Sequence, residues 1–181
     1  YSNRPGGIKA DIGLDPALLP NERFVFCKGH QKIDGELELF SEVREITPVP
    51  SGNAELFQKS GEAFVPDEFA HEQNLVIWQN KRAVLIAGCA HRGILNIVRK
   101  FESDYGRFPD VVIGGFHLHS RGTGKSEAPE AVDALARELL QTGAQYCTCH
   151  CTGQEAYQRL KTVMGTRIGY LSAGSRLAIN L

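Results

Sequence analysis

Three cysteines and a histidine fall within five residues near the end of the chain, at Cys147, Cys149, His150 and Cys151. The segment that contains them, 145–153, spans the end of a predicted strand and the start of a predicted helix. Thiolates and imidazoles are the ligands that zinc and other borderline metals prefer. The start of a helix also presents free N–H groups to an anion. These residue types therefore indicate a metal site, an anion site or both.

The alternation of side chains along a strand separates these cysteines from the histidine. In extended backbone, neighbouring side chains point to opposite faces, so Cys147, Cys149 and Cys151 would share one face and His150 the other. We therefore expect Cys147 and Cys149 to pack in the core and His150 to turn into a site. A closed zinc-finger site and a redox pair are the alternatives. No Cys-x-x-Cys pair occurs elsewhere to complete a zinc finger, and strand geometry does not favour a disulfide between residues two apart.

Two further histidines, His91 and His117, also follow predicted buried strands. In layered α/β folds, ligands collect at the carboxyl ends of strands. We therefore expect His91, His117 and His150 to share a metal site. Cys89 is either a further ligand or a small buried hydrophobic residue. His71 either reaches the same site or lies at the surface.

Three residues are candidates for binding an anionic group of a substrate. Thr152 and Gly153 open the last predicted helix, whose first N–H groups are free to bind a phosphate. Arg121 lies on a glycine-rich loop, where the alternative is a solvated, mobile segment. The sequence identifies no catalytic base.

The second half of the chain alternates strands with helices. Apolar residues recur at i, i+3, i+4 and i+7 between Ile94 and Phe101, which predicts a helix there. Ser126 is the predicted N-cap of a second helix. This alternation argues for an α/β fold with helices packed on a sheet. Further strands are predicted over 23–27, 43–49 and 176–179.

Composition and charge exclude several classes of protein. The 181 residues carry a formal net charge of −1 and are 42% apolar, which fits a single globular domain over 1–181. A net charge near zero argues against nucleic-acid partners, and no apolar run is long enough to span a bilayer. Five cysteines without regular spacing argue against a secreted disulfide framework and favour the cytoplasm.

Four segments together resemble a known family. Residues 88–97, 113–118 and 149–153 look like three successive motifs of the metallo-β-lactamase-fold hydrolases, and 71–75 fits the segment before a pair of strands. Within that family, the motifs are most similar to those of the branch that includes dihydropterin–ribofuranosyl-aminobenzene-phosphate synthase-like proteins. The order of these motifs and the spacing between them agree with those of the family along the whole chain.

The resemblance implies a fold, a cofactor and a reaction class. The fold is a four-layer αββα sandwich with two metal ions between its sheets, commonly zinc, with manganese or iron as alternatives. A metal-bound hydroxide would attack an ester or a phosphate-containing small molecule. His91 and His150 would be metal ligands, and His117 a ligand or a donor to the substrate. Many relatives carry a bridging Asp at the position of Cys89, so the resemblance leaves the ligands of the second metal open.

One signature of the family, His-x-His-x-Asp-His, does not occur in the 181 residues. In the family it lies upstream of the segments matched here, so the resemblance implies the C-terminal two-thirds of the fold, with the N-terminal part missing. The partner of this chain would then be a second copy of itself, in a homo-oligomer, or the missing N-terminal segment. The alternatives to a hydrolase are a catalytically incomplete module that binds a partner and a thiol sensor built on the clustered cysteines.

Overall fold

The computed structural model describes residues 1–179. The prediction of one domain over 1–181 stays a prediction, and its last two residues lie outside the described residues. The strands are β1 (Ser2–Arg4), β2 (Ile8–Ala10), β3 (Gln31–Lys32), β4 (Leu37–Phe40), β5 (Phe57–Ser60), β6 (Ala63–Pro66), β7 (Asn74–Gln79), β8 (Arg82–Ile86), β9 (Val111–Gly114), β10 (Gln145–Thr148) and β11 (Ile168–Tyr170); the α-helices are α1 (Ile94–Tyr105), α2 (Pro129–Gln141) and α3 (Gln154–Met164). Within the described range, no helix has the length and apolar character needed to cross a membrane.

A seven-stranded mixed sheet organises the molecule, in the order β11-β10-β9-β8-β7-β4-β3. Strands β8 to β11 are parallel, and β7, β4 and β3 continue the sheet in antiparallel pairs. Parallel neighbours require long crossovers, which α1, α2 and α3 supply. Asn80 and Lys81 join β7 to β8 with φ of 51° and 66°, the backbone of a two-residue hairpin turn whose twist matches the strands. The mixed α/β fold class predicted from the sequence is confirmed.

One row of apolar side chains crosses the sheet and packs against the helices. The row runs in register across five strands, and each member is at most 1% exposed. Residues of all three α-helices belong to the same buried cluster, so burial of this row holds the helices on one face of the sheet. The members are Val76, Leu85, Val112, Tyr146 and Ile168.

The opposite face of the sheet is also apolar. Leu75, Ile86, Ile113 and Cys147 lie in register across β7 to β10, and all but the buried Cys147 are partly exposed. In an αββα sandwich the second sheet packs on this face. Across residues 1–179 the remaining strands form only the two-stranded pairs β1–β2 and β5–β6.

The prediction of a strand over 43–49 is wrong. Side chains from elsewhere in the chain, and not a neighbouring strand, bind the backbone of this segment. The Oδ1 atom of Asn96 accepts hydrogen bonds from the backbone N–H groups of Ile46 (3.2 Å) and Thr47 (2.8 Å). The Nε atom of Arg92 donates to the carbonyl oxygen of Val43 at 2.9 Å. This irregular segment is therefore fastened to the start of α1.

Three other local predictions also fail. The segment 23–27 is not a strand, and Val25 and Phe26 are 81% and 75% exposed. An apolar run alone does not supply a neighbouring strand with which to pair. The strand predicted over 176–179 is also not formed, and the backbone there is irregular. Ser126 does not cap α2, whose N-cap is Ala128. The hydroxyl of Ser126 instead donates to the carboxylate of Glu155 at 2.8 Å.

Asp110 joins β8 to β9 through a charged network. Its Oδ2 atom accepts from the N–H of Ala83 (2.8 Å) and from Arg107 (2.6 Å). Burial raises the pKa of this carboxyl, but the Ala83 N–H and the guanidinium groups of Arg107 and Arg82 outweigh that effect and hold the pKa below its ordinary value.

We expect Asp110→Asn to lower the free energy of unfolding at pH 7 by about 1–3 kcal/mol. Because the folded pKa is depressed, this stabilisation is present above the unfolded pKa of about 3.9 and is lost as the pH falls through the folded pKa. Urea unfolding of both proteins between about pH 2.5 and pH 7 measures it. A stability difference that does not shrink at the acid end would contradict the assignment.

Candidate functional site

Three loops that follow β8, β9 and β10 meet at one edge of the sheet. The three strands are parallel neighbours, so their carboxyl ends lie side by side. Each loop contains a non-glycine residue with positive φ, namely Ala90 (56°), His117 (49°) and His150 (51°). Such backbone is costly outside glycine and is concentrated at functional sites.

Two cysteines and a histidine converge where these loops meet. The ligand atoms of Cys89, His150 and Cys151 all lie within 4.8 Å of one another. The Sγ atom of Cys89 is 3.5 Å from Nδ1 of His150. Their spacing and chemistry suit a tetrahedral zinc site. We call these three residues the Cys/His cluster.

The presence of Cys151 in the cluster corrects the sequence analysis. Strand alternation placed Cys151 and His150 on opposite faces, but β10 ends at Thr148 and a single 3₁₀ turn spans His150–Thr152. With His150 in left-handed backbone, neighbouring side chains no longer alternate and both can face one site. Gly153, which follows this turn, is the N-cap of α3, and a glycine at a helix start is the sequence signal that extended backbone ends before Cys151.

The two thiols of the cluster differ in acidity. A hydrogen bond with the Cys151 thiol, followed by contacts with His91, lowers the pKa of Cys89 far below that of a free thiol. The same hydrogen bond, together with burial, raises the pKa of Cys151. Cys89 is therefore the thiolate of the pair, and the thiolate is the form that binds metals.

His91 lies beside the cluster in a tightly held position. Its ring stacks on Phe69, with centroids 4.4 Å apart and planes at 4°, and its centroid is 4.2 Å from that of His117. The carboxylate of Glu72 accepts from the N–H groups of His91 (2.6 Å) and Arg92 (3.1 Å). Glu72 therefore fixes the loop that carries His91. Sequence reasoning missed Phe69 and Glu72, although Glu72 lies within the segment that resembles the family.

His117 presents two ring nitrogens without a partner. Both are buried and make no hydrogen bond with any atom of residues 1–179, which is costly for a polar side chain unless a ligand completes it. Burial, followed by the neighbouring His91, lowers the pKa of His117 to about 4. At neutral pH the imidazole is therefore uncharged and keeps a lone pair for a metal or a proton.

The other four predicted site residues, His71, Thr152, Gly153 and Arg121, are not part of the Cys/His cluster. His71 is exposed, with its ring 6.2 Å from that of Phe69. The buried Thr152 uses its hydroxyl to accept the Phe116 N–H at 2.9 Å. Gly153 has φ 74° and is the N-cap of α3, and a Cβ there would lie 2.5 Å from the Cβ of His119. Arg121 is exposed.

Gly115 leaves the space that the sulfur of Cys151 occupies. A Cβ at this position would lie 2.6 Å from that sulfur, closer than van der Waals contact allows. We expect Gly115→Ala to displace the thiol and weaken zinc binding by about 10-fold, a loss of the size seen when the support of a ligand is disturbed. Gly88→Ala, whose Cβ would meet nothing within 4 Å, is the matched control. Competition with a chromophoric chelator measures both affinities, and equal values would contradict the prediction.

Comparison with known proteins supports the resemblance drawn from the motifs. No protein family description matches the chain. It is 31% identical over 103 residues to the 7,8-dihydropterin-6-methyl-4-(β-D-ribofuranosyl)-aminobenzene-5′-phosphate synthase of Methanocaldococcus jannaschii, a match covering 56% of this chain and 33% of that protein. It also resembles the crystal structure of Tm1679, a metal-dependent hydrolase of the β-lactamase superfamily, with a TM-score of 0.71 and 26% identity over 87% of this chain and 58% of that one.

These two matches confirm the fold expected from the sequence and the resemblance to the synthase branch. The solved structure is a hydrolase of the metallo-β-lactamase superfamily, and the curated relative carries the name of the synthase branch. The chain spans about a third of the length of the curated relative and 58% of that of the solved structure.

Proposed function

We propose that this chain, which shares the fold of the metallo-β-lactamase superfamily, carries the metal centre of an enzyme that hydrolyses esters or phosphate-containing small molecules. The observation that supports this most is the convergence of Cys89, His150 and Cys151 within 4.8 Å. His91 and His117 lie beside them, on two of the same three loops. The five free cysteines favour a reducing compartment, and the proposal places the protein in the cytoplasm.

The donor set of the site fits zinc better than manganese. Cys89, His150 and Cys151 would hold the ion, because thiolate and imidazole ligands select zinc or iron, whereas manganese prefers oxygen ligands. His91 and the partnerless nitrogens of His117 would complete a second position or bind the substrate. When bound, the metal supplies a nucleophilic water near neutral pH and polarises the scissile oxygen.

The protein itself contributes orientation and charge. The uncharged imidazole of His117 can accept a proton from a nucleophile or donate a hydrogen bond to a substrate oxygen. The first N–H groups of α3, after Gly153, would bind an anionic substrate group, and the exposed Arg121 would add a positive charge. His71 would contribute from the rim of the site.

A synthase reaction is the second candidate, because the curated relative is named as a synthase whose product carries a 5′-phosphate. Both candidates use the same metal centre and an anionic substrate. They differ in whether water or a second substrate attacks. Hydrolysis of a simple ester or phosphodiester without a second substrate favours the hydrolase.

The test is zinc-dependent release of p-nitrophenol from p-nitrophenyl acetate and bis(p-nitrophenyl) phosphate. We expect turnover of at least one substrate by the zinc-loaded protein, abolished by a chelator and restored by zinc. Cys89→Ser should lose the activity, whereas Gln158→Ala, on the exposed side of α3, should retain it. Turnover that survives chelation and Cys89→Ser would overturn the proposal.

A further inference from the structure

We propose that Asn53 is a positioning residue that fixes which ring nitrogen of His91 is offered to the metal. This inference rests on the proposed function, in which His91 faces the metal centre. Asn53 lies 38 residues before His91 in the chain, and the sequence analysis gave it no role.

Asn53 makes two hydrogen bonds to the same residue. Its side-chain Nδ2 atom donates to the carbonyl oxygen of His91 at 2.7 Å. Its Oδ1 atom lies 3.0 Å from Nδ1 of the His91 ring. The backbone and the ring of His91 are therefore held by a single amide group.

The chemistry of these partners determines the tautomer of His91. A backbone carbonyl can only accept a hydrogen bond, so the amide nitrogen of Asn53 must face it. The amide oxygen, which also can only accept, then faces Nδ1 of His91. Nδ1 must therefore carry the proton, and in the neutral ring Nε2 keeps its lone pair. A second hydrogen bond of this kind fixes the orientation of most metal-binding histidines.

The turn that carries Asn53 contacts two histidines of the site. Asn53 lies in the 3₁₀ turn Ser51–Glu55, where its N–H donates to the carbonyl oxygen of Pro50 at 3.1 Å. The neighbouring Gly52 approaches the ring of His117, where a Cβ on Gly52 would lie 3.2 Å from Nε2. The turn therefore packs against His117 while its asparagine holds His91.

The ring of His91 stacks on Phe69, and Glu72 binds the backbone N–H of His91, but neither contact selects which ring nitrogen carries the proton. His91 lies two residues after Cys89 on the loop that follows β8, and Asn53 occupies its Nδ1 atom, so Nε2 is the nitrogen left for a metal held at the Cys/His cluster. Loss of the Asn53 amide would let both tautomers form, and only one of them offers Nε2 to the metal.

The tautomer is measurable without any metal. We expect the long-range ¹H–¹⁵N spectrum of the metal-free protein at about pH 8, where an ordinary imidazole is neutral, to show His91 protonated at Nδ1. His91→Gln assigns the signal. Asn53→Ala should give a mixture of tautomers, whereas Asn53→Asp, which keeps an oxygen acceptor, should retain the Nδ1–H form. Gln158→Ala should leave the spectrum unchanged.

The second measurement is the affinity for cobalt(II), followed by its visible absorbance. Asn53→Ala should bind cobalt about 10- to 100-fold more weakly than the wild type, with Asn53→Asp recovering most of the loss and Gln158→Ala unchanged. A wild-type His91 protonated at Nε2 would overturn the inference, even where Asn53→Ala does not fold. Unchanged tautomer and affinity in Asn53→Ala would also overturn it, and would leave the proposed function standing. A wild type that binds no cobalt would instead overturn the proposed function.

Discussion

His150→Ala is expected to weaken zinc binding by about 100-fold or more, because it removes one of the three ligand atoms that lie within 4.8 Å of one another. Structural zinc sites bind with roughly 10–16 kcal/mol shared among about four ligands, so one ligand is worth on the order of 3 kcal/mol. Competition titration with a chromophoric chelator measures the change.

The matched control for this variant is His30→Ala. The contacts of His30 lie outside the Cys/His cluster: its ring pairs with Glu38 at 3.0 Å and packs on Tyr105. Its removal should leave zinc affinity within about twofold of the wild type, because metal affinity depends on the ligands and the groups that orient them. Equal affinities of His150→Ala and wild type would remove His150 from the site.

Phe101→Ala is expected to lower the free energy of unfolding by about 3–5 kcal/mol, the cost of a large cavity in a well-packed core. Phe101 is 0% exposed, and its ring centroid lies 4.6 Å from that of Tyr105 and 5.9 Å from that of Trp78. Its contact with Trp78 of β7 joins α1 to the sheet. Urea unfolding followed by circular dichroism measures the loss.

Phe26→Ala provides the same chemical change outside the core. Phe26 is 75% exposed, so its removal should change stability by no more than about 0.5 kcal/mol. A large loss for Phe26→Ala would mean that Phe26 is buried, which contradicts the exposed segment 23–27 of the structure. A small loss for Phe101→Ala would contradict the packing of α1.

The parallel core of the fold and three of its histidines could be predicted from the sequence. Apolar runs over β8, β9 and β10 read as buried strands, and the periodicity from Ile94 to Phe101 read as α1. Because the carboxyl ends of parallel strands meet at one edge, His91, His117 and His150 could be placed together without any structure. This part of the prediction rests on local periodicity and one topological rule.

The irregular backbone of the site could not be predicted. Cys151 joins His150 only because the chain leaves strand geometry after Thr148, and a period of two cannot describe a 3₁₀ turn. The segment 43–49 has the composition of a strand, but Arg92 and Asn96 satisfy its backbone from a distant part of the chain. The contact of Asn53 with His91 has no local signal, since it depends on how the turn Ser51–Glu55 folds back on the sheet edge.

X-ray absorption at the zinc edge of the zinc-loaded protein tests the central claim most directly. If Cys89 and Cys151 bind the metal together with His150, the fine structure must contain sulfur at about 2.3 Å and nitrogen at about 2.0–2.1 Å. The sulfur contribution should fall by about half in Cys151→Ser. A first shell made of nitrogen and oxygen alone would contradict the account, because the Cys/His cluster would then not be the metal site.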